Sequence, residues 1–300
     1  MMLRREFMTR AGLAAALSAT PLLGLADESD TPAHRKIFFD ISLAQWSLNR
    51  QLRGGQLNPL DFPKKARESF GISAVEYVNH LFPNRTTAQD FLTELKMRAD
   101  DHDVRSLLIM IDDEGHLGDP DAKVRQRAIE NHYRWVSAAA FLGCHSVRVN
   151  VTGEGSPAEV QKAAVEGLIS LTTFALDYDI NVIVENHIGY AENGQWLSKI
   201  LADVDMPSCG SLPDFGNFGD YDRYQGIQDL IPFAKGVSAK SYAFDDQGNE
   251  TTIDFKRMLT IIRDAGFRGH IGVEFEGPGD EDQGVLATKA LLQRLGEELS

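Results

Sequence analysis

The chain has 300 residues, 43% of them apolar and 25% charged, which is ordinary usage for one large or two small folded domains and argues against wholesale disorder. Its 30 Lys and Arg stand against 44 Asp and Glu, a formal net charge of −14, and so acidic a surface repels phosphate backbones and argues against nucleic acid as a partner. With only two cysteines, Cys144 and Cys209, a disulfide-dense scaffold and a cysteine-cluster zinc site are both excluded.

The first 26 residues, MMLRREFMTRAGLAAALSATPLLGLA, join a basic start (Arg4, Arg5, Arg10) to an apolar run from Ala11 to Ala26. That run has the length of a secretory apolar region and is too short to cross a bilayer comfortably. Gly24-Leu25-Ala26 supplies small residues for cleavage, and the paired arginines followed by Glu6-Phe7-Met8 resemble a bacterial twin-arginine signal. The expectation is a periplasmic or secreted protein with no stable membrane anchor after the signal is removed. Removal of three Arg and one Glu takes the charge from −14 to −16. Residues 27–35 (DESDTPAHR) read as a tether, leaving 36–300 as a single domain. Export would permit a Cys144–Cys209 bridge, but both residues begin predicted strands, which favours buried free thiols.

Beyond the tether, strand and helix signals alternate. Short apolar, β-branched windows predict strands at 37–47, 73–79, 104–111, 145–151, 180–187, 209–215, 236–242 and 270–277. Between and after them, apolar spacings of three and four predict helices at 59–70, 87–101, 120–142, 157–177, 195–202, 223–233, 254–265 and 282–295. Gly71, Gly143 and Gly266 lie just past helix ends, where a left-handed cap favours glycine. Eight strand–helix units in this length predict an α/β fold, a (β/α)8 TIM barrel. An open doubly wound sheet would usually carry a Gly-rich phosphate turn after its first strand, whereas here that strand runs into Gln45-Trp46-Ser47-Leu48.

In such a barrel the chemistry sits at the C-terminal strand ends. Those ends carry Glu76, Asp112, Arg148 with Asn150, Glu185 with His187, Asp214, Ser238 with Lys240, and Glu274 with Glu276. Residues two apart on a strand share a face, so Glu185 and His187, Ser238 and Lys240, and Glu274 and Glu276 are same-face pairs. A carboxylate that ends an apolar run is costly to bury unless a cation or hydrogen bonds compensate. Three strands that each bring one, at Glu185, Asp214 and Glu274, point to a divalent metal. Oxygen ligands suit Mg²⁺ or Mn²⁺, and an added His broadens the choice to Zn²⁺, Co²⁺ or Ni²⁺. Trp46 reads either as barrel packing or as a sugar-stacking platform. His145, opening a strand, reads as structural, while His80 and His187 stay open as site candidates.

The segments SLAQWSL, FLGCHSVRVN, VIVENH, LPDFGNF, VSAKSYAFDDQGNE and IGVEFEG, in this order and spacing, resemble the sugar isomerase/epimerase family with a xylose-isomerase-like TIM barrel, over residues 37–297. The resemblance implies one divalent metal (Mn, Mg, Co or Zn) on Glu185, Asp214 and Glu274. The family's strand-seven His falls at or near Ser238, so a Lys240 ammonium replacing the cation and His187 completing the shell are both open. It further implies proton transfer at a carbon next to a carbonyl, with Glu185 and Glu274 as base and acid and metal or Lys240 polarising the oxygen. Trp46, Glu76, Arg148 and His187 are then expected to position the substrate. Export favours a small unphosphorylated carbohydrate. The expectation is a metal-assisted isomerase or epimerase. The alternatives are a lyase or hydrolase on 3-keto-glycosides by β-elimination, and a non-catalytic sugar-binding barrel. A homo-oligomeric assembly is left open.

Overall fold

Eight parallel strands form one sheet in the computed structural model, which describes residues 37–300; the leader at 1–26 and the tether at 27–35 lie outside the described residues. The strands are β1 (Asp40–Ala44), β2 (Ala74–Val78), β3 (Arg105–Met110), β4 (Ser146–Val149), β5 (Asn181–Glu185), β6 (Cys209–Leu212), β7 (Val237–Ser241) and β8 (His270–Phe275). A short helix α1 (Asn49–Arg53) follows β1. The larger helices are α2 (Phe62–Phe70), α3 (Gln89–Asp101), α4 (Ala122–Leu142), α5 (Pro157–Leu176), α6 (Gly194–Val204), α7 (Arg223–Leu230), α8 (Phe255–Asp264) and α9 (Glu281–Leu299). The hydrogen-bonded order β6-β5-β4-β3-β2-β1-β8-β7 is that of a barrel opened at one seam. The seam between β6 and β7 is closed by the bridge Asp214↔Ser238. There the Ser238 N–H donates to the Pro213 carbonyl at 2.9 Å and the Phe215 N–H to the Ser238 carbonyl at 3.1 Å. The single-domain (β/α)8 barrel is thus the fold of the described chain.

Every predicted strand window contains an observed strand, and the differences have local causes. The first strand stops at Ala44 because Gln45–Leu48 turns into a 3-10 helix that continues into α1. β6 stops at Leu212 because Pro213 has no N–H to extend the ladder. Helix starts are set by caps: Asp121, Asn193, Asp222, Asp254 and Asp280 each accept a backbone N–H of the first turn. α5 opens with a full capping box, Ser156 with Glu159, and Pro157 in its first turn. Gly71 (φ 61°) and Gly143 (φ 79°) end α2 and α4 in the left-handed conformation. Both cysteines are free and buried, and burial pushes their thiols up, Cys209 to about 11.

Strand alternation divides the barrel wall. Val75 and Tyr77, Val147 and Val149, Val182 and Val184, and Ile271 and Val273 are buried on the face shared with the helices. The opposite face carries Ser42, Glu76, Arg148, Glu185, Ser238, Lys240, Gly272 and Glu274, and these meet in the barrel interior. Ser42 Oγ donates to Glu76 Oε1 at 2.6 Å, and a Cβ on Gly272 would fall 2.6 Å from that same oxygen. The bare Gly272 therefore leaves the space that the Glu76 carboxylate fills.

Candidate active site

At the C-terminal strand ends a small cavity of about 60 Å3 is lined by Trp46, Val78, Met110, Asp112, Arg148, Glu185, His187, Lys240, Glu274 and Glu276. Ligand oxygens of Glu185, Asp214 and Glu274 all lie within 4.8 Å of one another, and all three residues are buried. Each is held in place by its neighbours. Asp214 Oδ1 accepts the N–H groups of Gly216 and Asn217 at 2.7 and 2.8 Å. Glu185 Oε1 accepts from Asn217 Nδ2 at 2.9 Å, and Glu274 Oε2 accepts from Ser238 Oγ at 2.6 Å.

Two permanent cations thread this group. Arg148 donates to Asp112 Oδ1 at 2.5 Å and brings Nε to 2.8 Å from Glu185 Oε2. The second contact is electrostatic, since neither atom completes a hydrogen bond there. Lys240 Nζ lies 3.4 Å from Glu274 Oε1, 3.4 Å from Glu276 Oε2 and 3.9 Å from Asp214 Oδ2, and donates to Asn217 Oδ1 at 3.3 Å. The Trp46 indole N–H donates to Glu276, and Arg53 lies over the Trp46 ring at 4.7 Å. His187 Nδ1 pairs with Asn150 Oδ1 at 3.1 Å, and Asn150 in turn donates to Asp112 at 2.8 Å.

The balance of burial against these charges sets the proton affinities. Burial raises Glu185 to about 7, against the pull of Arg148, with the Glu274 charge pushing the same way. Burial likewise raises Asp214 to about 7, opposed by Lys240. Glu76 also rises to about 7 by burial, only partly offset by Ser42. For Glu274, burial is outweighed by Lys240 and the Ser238 hydrogen bond, so its carboxyl stays below the usual range. For Asp112, burial is outweighed by Arg148. Burial would lower Lys240, but the surrounding carboxylates hold it well above its ordinary value. Burial and the Arg148 charge lower His187.

These residues fit a divalent cation. Glu185 Oε2 and Asp214 Oδ2 are buried without a hydrogen-bond partner, and the carboxylates at the mouth outnumber Arg148 and Lys240. Glu185, Asp214 and Glu274 would hold the ion, with water completing the shell. Ser238 stands at the strand-seven position and commits its hydroxyl to Glu274, while His187 is outside the acidic cluster and is engaged by Asn150.

The structure therefore brings Glu185, Glu274, Asp214, Lys240, Arg148, Trp46 and His187 to one place. Glu76 does not line the cavity and lies in the interior layer beneath it. His80 lies apart, 3.0 Å from Asp113 Oδ2. Asn217, Glu276 and Asp112 hold the charged groups and carry no role in the sequence reading. For Glu276 the same-face spacing from Glu274 is the available signal. For Asn217 there is only its place three residues after Asp214.

A closed parallel barrel with a buried acidic centre at its strand ends defines the class of protein. The chain belongs to the xylose isomerase-like TIM barrel family, which matches residues 64–295. Among curated proteins none matches the sequence. Similar solved structures include the IolI protein with a bound zinc atom, at 14% identity and TM-score 0.70, covering 87% of this chain and 99% of that one. A D-tagatose 3-epimerase-like protein follows at 16% identity and TM-score 0.67, with 87% and 98% covered. The 3-keto-D-glucoside 4-epimerase YcjR from E. coli is similar at 15% identity and TM-score 0.65, with 86% and 100% covered.

Proposed function

We propose that the protein is a sugar-modifying enzyme, an isomerase or epimerase that moves a proton at the carbon next to a carbonyl of a small unphosphorylated carbohydrate. One observation carries the reading: Glu185 and Glu274, from β5 and β8, line one cavity with Lys240 and Arg148, and a carboxylate oxygen of Asp214 lies within 4.8 Å of theirs. One carboxylate takes the proton from the substrate C–H, and the electron pair left behind delocalises onto the carbonyl oxygen. For epimerisation, the other carboxylate then returns a proton to the opposite face of the same carbon. For isomerisation, a proton is returned to the former carbonyl carbon, and the proton of the neighbouring hydroxyl passes to the former carbonyl oxygen so that the new carbonyl forms. A divalent ion on Glu185, Asp214 and Glu274 would polarise that oxygen as a Lewis acid. Lys240 and Arg148 keep the carboxylates in place and favour negative charge on the substrate, and Trp46 forms one wall against which a sugar ring can lie.

A second reading keeps the first step and ends in β-elimination from a 3-keto-glycoside. The similarity to a 3-keto-D-glucoside epimerase supports it, as does a groove beside the mouth with room for a leaving group. The test is deuterium incorporation from D₂O into a panel of unphosphorylated ketoses, aldoses and 3-keto-glycosides, with products resolved by mass. Retained mass marks an isomerase or epimerase, and a released aglycone marks a lyase. Glu274→Gln should cut exchange by about 10²–10⁴-fold with the circular dichroism unchanged. Exchange at a near-normal rate would remove Glu274 from the chemistry, and no exchange with any substrate would leave a binding barrel.

We also propose that the protein works outside the cytoplasm, from the leader at 1–26. Replacing Arg4 and Arg5 together by Lys should leave full-length precursor in the cytoplasmic fraction, and unimpaired export would refute the twin-arginine reading. Among the described residues no helix is long and apolar enough to cross a membrane.

A further inference from the structure

Beside the mouth, the loops after β4, β5 and β6 line a second, open groove of about 460 Å3. We propose that this groove is a subsite for a neutral glycosyl ring, so that the substrate is a glycoside or oligosaccharide and its far ring lies here. The inference rests on the carbohydrate reading above and narrows it.

The groove is walled by Tyr190, Trp196, Phe218 and Tyr221. Three of these aromatics are pinned at their polar tips. Tyr190 OH donates to the Gly155 carbonyl at 3.0 Å, Trp196 Nε1 to the Pro157 carbonyl at 3.1 Å, and Tyr221 OH to Asp229 Oδ2 at 2.7 Å. The Tyr190 and Trp196 rings stand 5.7 Å apart, tilted by 48°. Rings fixed in this way can pack against a pyranose with little further loss of rotamer freedom.

Two carboxylates, Glu192 and Asp220, also line the groove, and no Lys or Arg is among the lining residues. Carboxylates accept hydrogen bonds from sugar hydroxyls and repel phosphate, so the groove selects an uncharged ring. Gly219, between Phe218 and Asp220, has a positive φ of 50°, a conformation that favours glycine.

The groove and the catalytic mouth are built on the same loops. His187 lines the mouth while Gly189 and Tyr190 line the groove. Asn217 holds Glu185 and Lys240, and the next residue, Phe218, is a groove wall. His187 and Gly189 are two residues apart, so their Cα atoms lie within about 7 Å of each other.

The test is calorimetric titration of the Glu274→Gln protein with D-glucose, maltose, cellobiose and sucrose. At least one disaccharide should bind at least tenfold tighter than glucose, and in Tyr190→Ala and Asp220→Ala backgrounds that ratio should fall towards one. Asp220 is exposed, so its variant keeps the test open if the Tyr190 variant is poorly folded. Equal affinity for glucose and every disaccharide, or a ratio unchanged in both variants, would overturn the proposal. So would a dimer that the Tyr190 variant dissolves, because a second copy of the chain would then be the occupant. Disaccharide binding through the groove without any deuterium exchange leaves the subsite standing and removes the proton-transfer reading. Exchange on monosaccharides with a silent groove does the reverse.

Discussion

Lys240 decides the charge balance of the site. Its ammonium lies 3.4 Å from Glu274 and 3.9 Å from Asp214, so it serves as their counter-ion and repels a dication bound by the same oxygens. Removing one partner of a buried ionic group costs about 3–5 kcal/mol when the charge left behind is uncompensated. Lys240→Met keeps the side-chain length and removes the charge. In EDTA the variant should melt well below the unaltered protein, and Mn²⁺ should raise its Tm more than it raises the unaltered protein's. Scanning calorimetry of both proteins with and without metal reads this directly. Equal gains would mean that Lys240 and the metal do not compete for the same carboxylates. At this scale the acidic centre is legible because Glu185, Asp214 and Glu274 stand at the C-terminal ends of three predicted strands, where an unpaired charge is costly to bury. Asn217, Asp112 and Glu276 were not assigned roles, because a polar residue in a loop looks alike in sequence whether it faces water or a buried carboxylate.

The elements differ in how firmly they are joined. β2 and β3 share a ladder of five paired positions with a single register shift. Between β6 and β7 Pro213 interrupts the ladder and the closure rests on isolated bridges at Ser211↔Ala234 and Asp214↔Ser238. Asn186 reinforces this edge by donating to the carbonyls of Asp214 and Asn217 and accepting the Asp214 N–H. Local opening is easier where fewer backbone bonds must break together. The amides of Phe215, Lys235 and Ser238 should therefore exchange with deuterium faster than those of Tyr77 and Ile109. A metal joining Asp214 to Glu274 should slow them selectively. Mass-resolved hydrogen exchange with and without Mn²⁺ tests both statements, and uniform protection around the barrel would refute the first. The eight strands and the eight larger helices are legible in the sequence because apolar periodicity and glycine caps are local signals. The 3-10 turn at Gln45–Leu48, helix α1 and the early end of β6 are choices made by packing and by one missing N–H, so the windows there ran long.

For the molecule as a whole, the interior carboxylates make stability depend on pH. Glu76, Glu185 and Asp214 each rise to about 7 through burial. In the unfolded chain they ionise near the ordinary carboxylate range of about 4 to 4.5. Between that range and pH 7 the unfolded state therefore binds fewer protons than the native state, and stability falls as pH rises. Asp112 and Glu274 are shifted downward, so what they contribute is already complete above about pH 4.5. His132, His145, His187 and His270, lowered by burial, favour the folded state as pH rises and offset part of the loss. A carboxyl raised this far is worth about 3 kcal/mol alone, and less when neighbours titrate together. The metal-free mature protein should thus lose Tm steadily from pH 5 to 7.5. Glu76→Gln, which alters no residue of the acidic cluster, should flatten the slope. Divalent metal binds ionised carboxylates, so its affinity rises with pH and saturating Mn²⁺ should offset the loss. Thermal melts across that range in EDTA and in Mn²⁺ give the two curves. A metal-free curve that stays level, or climbs, would mean that the buried acids are ionised at neutral pH with compensation already complete from Arg148 and Lys240.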